Sequence, residues 1–482
     1  MAETPLSVED ASRLRHVRNL RGGIGGYTLR VHRWRTTRHR EAHRRDDGES
    51  RTPRGEFAPI AVVHVELSGP LPAIPATDSS GRRYGRAHAL VRLHGKPLGA
   101  VDLEVGDDGV SASECADATW NAFDRRINNH LRNDGLGEIA GLSANGLPTD
   151  APSPCLQRRE SLLRDAPLAS VIICTRNRHE VVARTLRSLK LLDYPNFEVI
   201  VADGSATTAT ADIVNADFND VKYLHVGNNG LCVARNSGIE AASGSVVAFT
   251  DDDVVVDPYW LVELVAALES EERVACSTGL VFPLELGTQA QLWFEESGGF
   301  TEGFDRRVVD LAAPRERGSL LPYATGRIGA GASMAWWTAS VRKLGGFDLA
   351  LDGLAGDDVA AFFDALTNGY KIVYEPAAIV YHDHRRTYEE LRRQLYSHGI
   401  GLGIYLARCL ATQPHRIPDF VKRVPRGLFY GFSPRSMVNR KKTPGFPAEL
   451  TRAKQLGTAV GPFAYVKGAV RARRSAATSG AS

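Results

Sequence analysis

A chain of 482 residues is too long for one ordinary domain, so its length implies two or three modules and a core large enough to bury polar chemistry. Its hydrophobic share of 43% and charged share of 24% are ordinary globular values, and no apolar run approaches the roughly 18 residues of a membrane span. The net charge is only +3, yet arginines crowd the stretch from Arg13 to Arg45, and basic residues return at Arg440, Lys441, Lys442 and from Arg471 to Arg474. Such ends suit a solvated tail or an anionic surface, and no nucleic-acid partner is expected. Six cysteines scattered without a C-x-x-C pair suit a reducing cytoplasm, and the polar start Met1-Ala-Glu-Thr is unlike a signal peptide. The expectation is a cytoplasmic protein, free or held peripherally at a membrane through its basic ends.

Residues 1–55 lack sustained periodicity, and their Gly22-Gly23-Ile24-Gly25-Gly26 cluster has neither the preceding strand nor the following helix that a dinucleotide loop needs. A small β-rich module is expected over 56–135. There Ile60 to Leu67 reads as a strand, and Arg86 to Leu93 and Leu98 to Val105 alternate around His94-Gly95-Lys96-Pro97 like a hairpin. Trp120, Phe123, Ile127 and Leu131 then share one helical stripe, which reads as core packing. Glycines, prolines and serines thicken over 136–167 and mark a linker. From 168 to 385 short apolar strands (Ala169 to Cys174, Phe197 to Ala202, Ser245 to Thr250) alternate with amphipathic helices such as Val181 to Leu192. This β-α-β texture predicts an α/β, doubly wound parallel sheet with ligands at the carboxyl ends of its strands. Over 386–482 a helical extension with a basic tail is expected. Its segment from Thr387 to about Leu410, broken by Gly399, Gly401 and Gly403, suits docking to a partner or membrane surface, or a lid over an acceptor.

The chemistry-bearing residues fall just after the strands. Thr175-Arg176-Asn177-Arg178 follows the first strand of the sheet, where small polar groups and free amides can meet a nucleotide. Ala202-Asp203-Gly204-Ser205 puts a carboxylate at the next strand end, where it can accept from a base or ribose or simply close a turn. Gly230 to Gly238, containing Ala234-Arg235-Asn236, leads into the strand Val246 to Phe249 and then Asp251-Asp252-Asp253. Three adjacent carboxylates repel one another unless a cation sits among them, and oxygen ligands favour Mg2+ or Mn2+ over zinc. Trp336 and Trp337 cannot both point inward from a strand, so either one of them stands on an acceptor side, facing a sugar or lipid, or the pair serve as packing residues.

In this order and spacing, Val171 to Arg178, Ala202 to Ser205, Ala234 to Asn236 and Phe249 to Asp253 resemble the family 2 glycosyltransferases of the inverting GT-A (Rossmann-like) fold, over about residues 168 to 400. The resemblance implies that Thr175, Arg176, Asp203, Arg235, Asp251 and Asp252 bind a nucleoside-diphosphate sugar and that Asp251 and Asp253 hold the metal. It further implies that His382, within Val380 to Arg386, completes the metal shell. Gly356-Asp357-Asp358-Val359 matches the family's acidic pair, so Asp358 is implied as the base that deprotonates the acceptor hydroxyl and Asp357 as its acceptor-side neighbour. The glycine-rich Gly329 to Ser333 is implied to line the floor between donor and acceptor. One departure is Ala202, standing where relatives usually carry a second acid or amide, which puts the donor base in doubt.

The resulting mechanism is a single displacement with inversion, supported by the metal at the leaving diphosphate. Two rival readings stay open at this stage. A nucleotidyltransferase would share the sheet and acidic site but normally opens with a glycine-rich, arginine-containing loop. A non-catalytic sugar-nucleotide or glycan-binding protein fits the departure at Ala202 and the lack of a further acid after Asp358.

Overall fold

In the computed structural model the described residues are 57–147, 153–314, 319–353, 355–433, 435–436 and 439–479. The arginine-rich segment 1–55 with its glycine cluster, and the side chains of Arg471 to Arg474, lie outside them.

Strands β1 (Ile60–Glu66), β2 (Arg86–Leu93) and β3 (Lys96–Glu104) form a three-stranded sheet, parallel between β1 and β2 and antiparallel between β2 and β3. The β2–β3 connection tightens to His94-Gly95, both at positive φ (55° and 80°), the left-handed pair that a two-residue hairpin requires. Helix α1 (Ala112–Asn133) opens on a Ser111/Glu114 capping box and buries Phe123, Ile127 and Leu131 against this sheet, with Trp120 half-buried at the margin.

The segment read as a linker, 136–167, instead contains a helix, α2 (Pro154–Arg164). Arg159 is the reason. Its guanidinium is buried and donates to Glu263 Oε1 at 2.7 Å and to the His94 carbonyl at 3.1 Å. A buried arginine left unpaired costs several kcal/mol, of order 3–5, so this tertiary pair fixes a segment whose composition alone reads as loop.

The second sheet is built by β4 (Ala169–Thr175), α3 (His179–Leu189), β5 (Phe197–Asp203), α4 (Ala209–Asp217), β6 (Val221–His225), α5 (Leu231–Ala241), β7 (Val246–Asp251), β8 (Val254–Val256), α6 (Trp260–Glu269), β9 (Val274–Pro283), α7 (Gln289–Glu296), β10 (Arg307–Val309), β11 (Ser333–Trp337), α8 (Thr338–Lys343), α9 (Asp357–Thr367) and β12 (Lys371–His382). Among the described residues its order is β10-β12-β9-β11-β7-β4-β5-β6, with β8 paired to β12. Strands β6, β5, β4 and β7 are mutually parallel. The sheet is mostly parallel, with β11 running antiparallel between β7 and β9. The chain winds outward from β4 to β6 and then returns to place β7 on the other side of β4. The crevice between the carboxyl ends of β4 and β7 is therefore the topological switch point, where an open α/β sheet accepts ligands.

Strand β12 runs through a proline. Glu375-Pro376 does not end it, because the register against β9 shifts between Glu375 and Ile379, which puts the proline at an irregularity where no ladder N–H is needed. The strand then continues and pairs His382 with Val254 of β8, beside the acidic triplet.

The N-terminal module is seated on this second sheet. Leu90 and Ala100 share a core cluster with Leu280, Phe282, Ile379 and Tyr381, the His64 and Tyr381 rings meet edge to face at 4.3 Å, and Arg92 pairs with Asp257 at 2.6 Å. Tyr381 directly precedes His382, so the module buttresses the strand that delivers that histidine.

Helices α10 (Tyr388–Thr412), α11 (Ile417–Phe432) and α12 (Ala448–Ser479) complete the chain. Gly399, Gly401 and Gly403 do not break α10; they are where other backbone comes closest. A Cβ on Gly399 would lie 2.0 Å from the Lys454 carbonyl oxygen, and one on Gly403 2.3 Å from that of Thr458. Close packing of α10, on α12 at Gly399 and Gly403 and on Ala355 at Gly401, outweighs the roughly 1 kcal/mol helix-propensity cost of each glycine. Among the described residues no helix is long and apolar enough to cross a membrane.

Candidate active site

The carboxyl ends of β4 and β7 meet at one hydrogen bond: Thr175 Oγ1 donates to Asp252 Oδ2 at 2.8 Å. Thr185 on α3 donates to the backbone carbonyls of Asp252 and Val254 at 2.8 and 2.7 Å, which fixes the turn carrying the acidic triplet. Each member of the triplet then has its own task. Asp252 is buried and ion-paired with Arg178. Asp253 receives Arg178 at 2.9 Å, Arg385 at 3.5 Å and approaches His382 Nε2 at 3.4 Å. Asp251 keeps 39% of its side chain exposed, and its nearest cation is Arg235 at 4.0 Å.

The charges follow this partition. Although part of its side chain stays open, desolvation by the surrounding protein, then the adjacent Asp253 carboxylate, push the Asp251 carboxyl well above its ordinary range, and burial also raises Asp252. Burial acts on Asp253 in the same sense, but the guanidinium groups of Arg178 and Arg385 outweigh it and hold that carboxyl low. Asp251 is therefore the member with an unmet need for positive charge.

His382 is wired by a relay. Glu295 Oε1 accepts from His384 Nε2 at 2.8 Å, so His384 Nδ1 is left to accept from His382 Nδ1–H at 3.1 Å. His382 Nε2 then carries a lone pair facing the Asp253 carboxylate. Burial pushes the imidazole down to about 4, which keeps it neutral at pH 7. Two acceptors 3.4 Å apart call for a cation between them, and the ligand atoms of Asp251, Asp253 and His382 all lie within 4.8 Å of one another. This O, O, N set fits a divalent cation with mixed ligands.

Asp358 stands in the first turn of α9. Its Oδ2 accepts from the Gly331 N–H at 2.7 Å and its Oδ1 from Val359 N–H at 2.8 Å, and the side chain stays partly open to solvent. Beneath it, Asp357 and Arg235 form an ion pair in which both side chains are 4% exposed, with Arg235 also lying 5.1 Å from the Phe347 ring centre. The glycine-rich segment threads between these groups. A Cβ on Gly331 would sit 2.4 Å from Arg235 Nη2 and 3.2 Å from Asp358 Oδ2, so only glycine brings its N–H to that carboxylate.

The structure places several of the expected site residues away from the open crevice. Asp357 is not on an acceptor face; it is the buried counter-ion of Arg235. Arg235 in turn is 4% exposed and lies against Gly331 rather than reaching into open space. Trp336 is fully buried, ring-stacked on Phe362 at 6.0 Å, and Trp337 pairs with Val246. Because β11 is antiparallel to β7, both tryptophans lie at the end of the sheet away from Asp251. Asp203 is fully buried and closes its own turn, accepting from the Ser205 amide at 2.8 Å and the Tyr223 hydroxyl at 2.9 Å. Arg176 remains exposed beside the crevice, hydrogen-bonded to Asn228. Sequence reasoning gave no role to Arg178, His384 or Glu295. Arg178 lay within a motif already singled out, whereas Glu295 is 89 positions from the histidine it orients.

Residues 170–312 match the sequence profile of Glycosyl transferase family 2, and residues 246–454 match that of Glycosyl transferase family group 2. The pre-mycofactocin glycosyltransferase of Mycobacterium tuberculosis is 28% identical over 217 residues, 45% of this chain and 43% of its own. The validoxylamine A glucosyltransferase of Streptomyces hygroscopicus subsp. jinggangensis is 29% identical over 292 residues, 55% of this chain and 65% of its own. The match thus spans less than half the length of the mycobacterial relative. Among solved structures, the mannosyltransferase PcManGT of Pyrobaculum calidifontis, in complex with GDP-Man and Mn2+, aligns at 17% identity with a TM-score of 0.40, covering 65% of this chain and 92% of that one.

Proposed function

We propose that this chain, whose sheet domain matches the profiles of glycosyl transferase family 2 and family group 2, moves a sugar from a nucleoside-diphosphate donor to an acceptor hydroxyl by a single inverting displacement. The observation that carries the reading is the division of labour at the β4–β7 crevice. Open Asp251, cation-clamped Asp253 and neutral His382 converge on one side, and amide-anchored Asp358 stands across the Gly331 floor. Asp251, Asp253 and His382 would hold a divalent cation, whose contribution is to offset the charge that develops on the departing diphosphate.

The chain's own residues do the rest. Thr175 and Arg178 keep Asp252 turned inward and set the triplet's geometry. Arg385, 36% exposed, and the exposed Arg176 flank the crevice as cations for the phosphates. Asp358, its carboxylate held by two backbone amides, accepts the proton of the attacking hydroxyl. A nucleoside-diphosphate sugar that raises the unfolding midpoint in the presence of Mn2+, and is consumed only when an acceptor is supplied, is the expected result of a donor screen. A chain that binds such donors tightly but never turns them over, with any acceptor class, would favour the non-catalytic binding reading.

For the acceptor side we propose contact with an anionic membrane surface. On α11, Ile417, Val421, Leu428 and Phe432 are exposed along one stripe, beside exposed Lys422 and Arg426. An apolar stripe flanked by cations is the pattern of a helix lying in a lipid interface. Sedimentation with phosphatidylglycerol-containing vesicles, lost in a Leu428→Glu, Phe432→Glu double variant, is the expected outcome. Equal binding by both proteins would remove this surface from the proposal.

A further inference from the structure

A second convergence of metal-ligating atoms lies in the N-terminal module, and the reaction does not use it. His94 in the β2–β3 turn, His130 and Asp134 one turn apart at the end of α1, and Cys155 at the start of α2 bring four ligand atoms to one point. All six distances among them are short. His94 Nδ1 is 3.0 Å from His130 Nε2, 3.1 Å from Asp134 Oδ2 and 3.4 Å from Cys155 Sγ. His130 Nε2 is 3.3 Å from Asp134 Oδ2 and 3.7 Å from Cys155 Sγ, and the last edge, Cys155 Sγ to Asp134 Oδ2, is 2.9 Å.

A hydrogen-bonded cluster has no reason to close every edge. An imidazole nitrogen offers one site in its ring plane, so His94 Nδ1 can satisfy one neighbour, yet it faces the other three ligand atoms as well as Ser153 Oγ at 3.1 Å. The shape is that of a coordination shell. A regular tetrahedron with these edges has its centre about 2 Å from each vertex, which is the length of a bond from zinc to nitrogen or oxygen and slightly under that to sulfur.

We propose that His94, His130, Asp134 and Cys155 form a closed tetrahedral site for a structural zinc ion. Thiolate and imidazole select zinc over the hard cations expected at the acidic triplet. Four protein ligands leave no open position, which marks a structural rather than a catalytic ion. The backbone is adapted to the task. His94 adopts φ 55°, a left-handed conformation uncommon outside glycine, with its N–H held by Glu66 Oε1 at 2.7 Å. Ser153 donates to Asp134 at 2.5 Å and orients that carboxylate. An open cleft lined by Lys96, Asn133, Pro154 and Arg158 reaches Asp134 and Cys155 and gives an ion its path in.

The position explains the use. The ion would tie α2 to α1 and to the hairpin turn, and α2 carries Arg159, which pairs with Glu263 on α6 of the second sheet. Zinc therefore locks the seam between the two modules.

The test is metal analysis of the full chain purified without chelator, with cobalt substitution. One zinc per chain is expected. Cobalt exchanged into the wild-type protein should show intense tetrahedral d–d bands and a thiolate-to-cobalt charge-transfer band. Cys155→Ser should lose the charge-transfer band and weaken zinc binding by at least about 100-fold, and His130→Ala should weaken it similarly. Asp253→Asn should retain both the zinc and the spectrum, which separates this site from the triplet. If Cys155→Ser does not fold, the charge-transfer band of the wild-type protein still decides whether a thiolate binds. Wild-type protein that neither carries zinc nor gives the cobalt spectrum, or full zinc retention by both Cys155→Ser and His130→Ala, overturns the proposal.

Discussion

The two groups of convergent ligands differ in how the fold delivers them and in how many they supply. Asp251 and Asp253 hang from one strand end, His382 from the end of β12, and the sheet aligns these ends before any side chain is chosen. Three ligands with Asp251 partly exposed leave a face through which a substrate group can reach a cation. His94, His130, Asp134 and Cys155 come from a turn and two helices that no common sheet aligns, and they close all six edges. An open shell suits exchange and chemistry, whereas a closed one suits architecture. The lesson is that ligand count and exposure separate the two roles more clearly than residue type.

The most severe way to break this comparison is to strip the open site. Brief dialysis against a chelator should reduce transfer to background, and Mn2+ or Mg2+ should restore it; full turnover by metal-free protein would end the role proposed for Asp251, Asp253 and His382. Next in size is Asp358→Asn, which preserves shape and amide contacts but removes the basic oxygen. Single-turnover transfer should fall by about two to four orders of magnitude while donor titration stays near native. Loss of donor binding would instead place Asp358 in the nucleotide site.

Glu295→Gln sharpens the comparison at longer range, because it removes the charge that sets the His384 and His382 tautomers. The Mn2+ concentration for half-maximal transfer should rise by about 10- to 100-fold, with the rate at saturating metal changed far less. An unchanged metal dependence would mean that the relay does not tune His382. The smallest effect on chemistry is expected at the closed site. Cys155→Ser should lower the unfolding midpoint measured by calorimetry, yet leave the initial transfer rate per folded molecule within a few-fold. A large loss of rate in fully folded Cys155→Ser would show that the seam between modules controls the crevice directly.

The sequence by itself determined the β-α-β alternation, the switch-point position of Thr175 and of Asp251 to Asp253, and the amphipathic stripe of α1. Each is written in residues close together along the chain, as a period, a strand end or a contiguous motif. The glycine-rich segment around Gly331 and the acidic start of α9 were legible as motifs for the same reason. Only the tertiary structure decided that Asp357 and Arg235 neutralise each other out of water, that Asp203 is consumed by Ser205 and Tyr223, and that Trp336 faces the core. It also decided that three glycines in α10 mark a close packing face rather than a break, and that a helix anchored by Arg159 replaces a linker. Those outcomes rest on pairings between residues far apart in the chain. Burial makes an unpaired charge or an unfilled contact costly, and which partner meets that cost is set by the fold, not by local spacing.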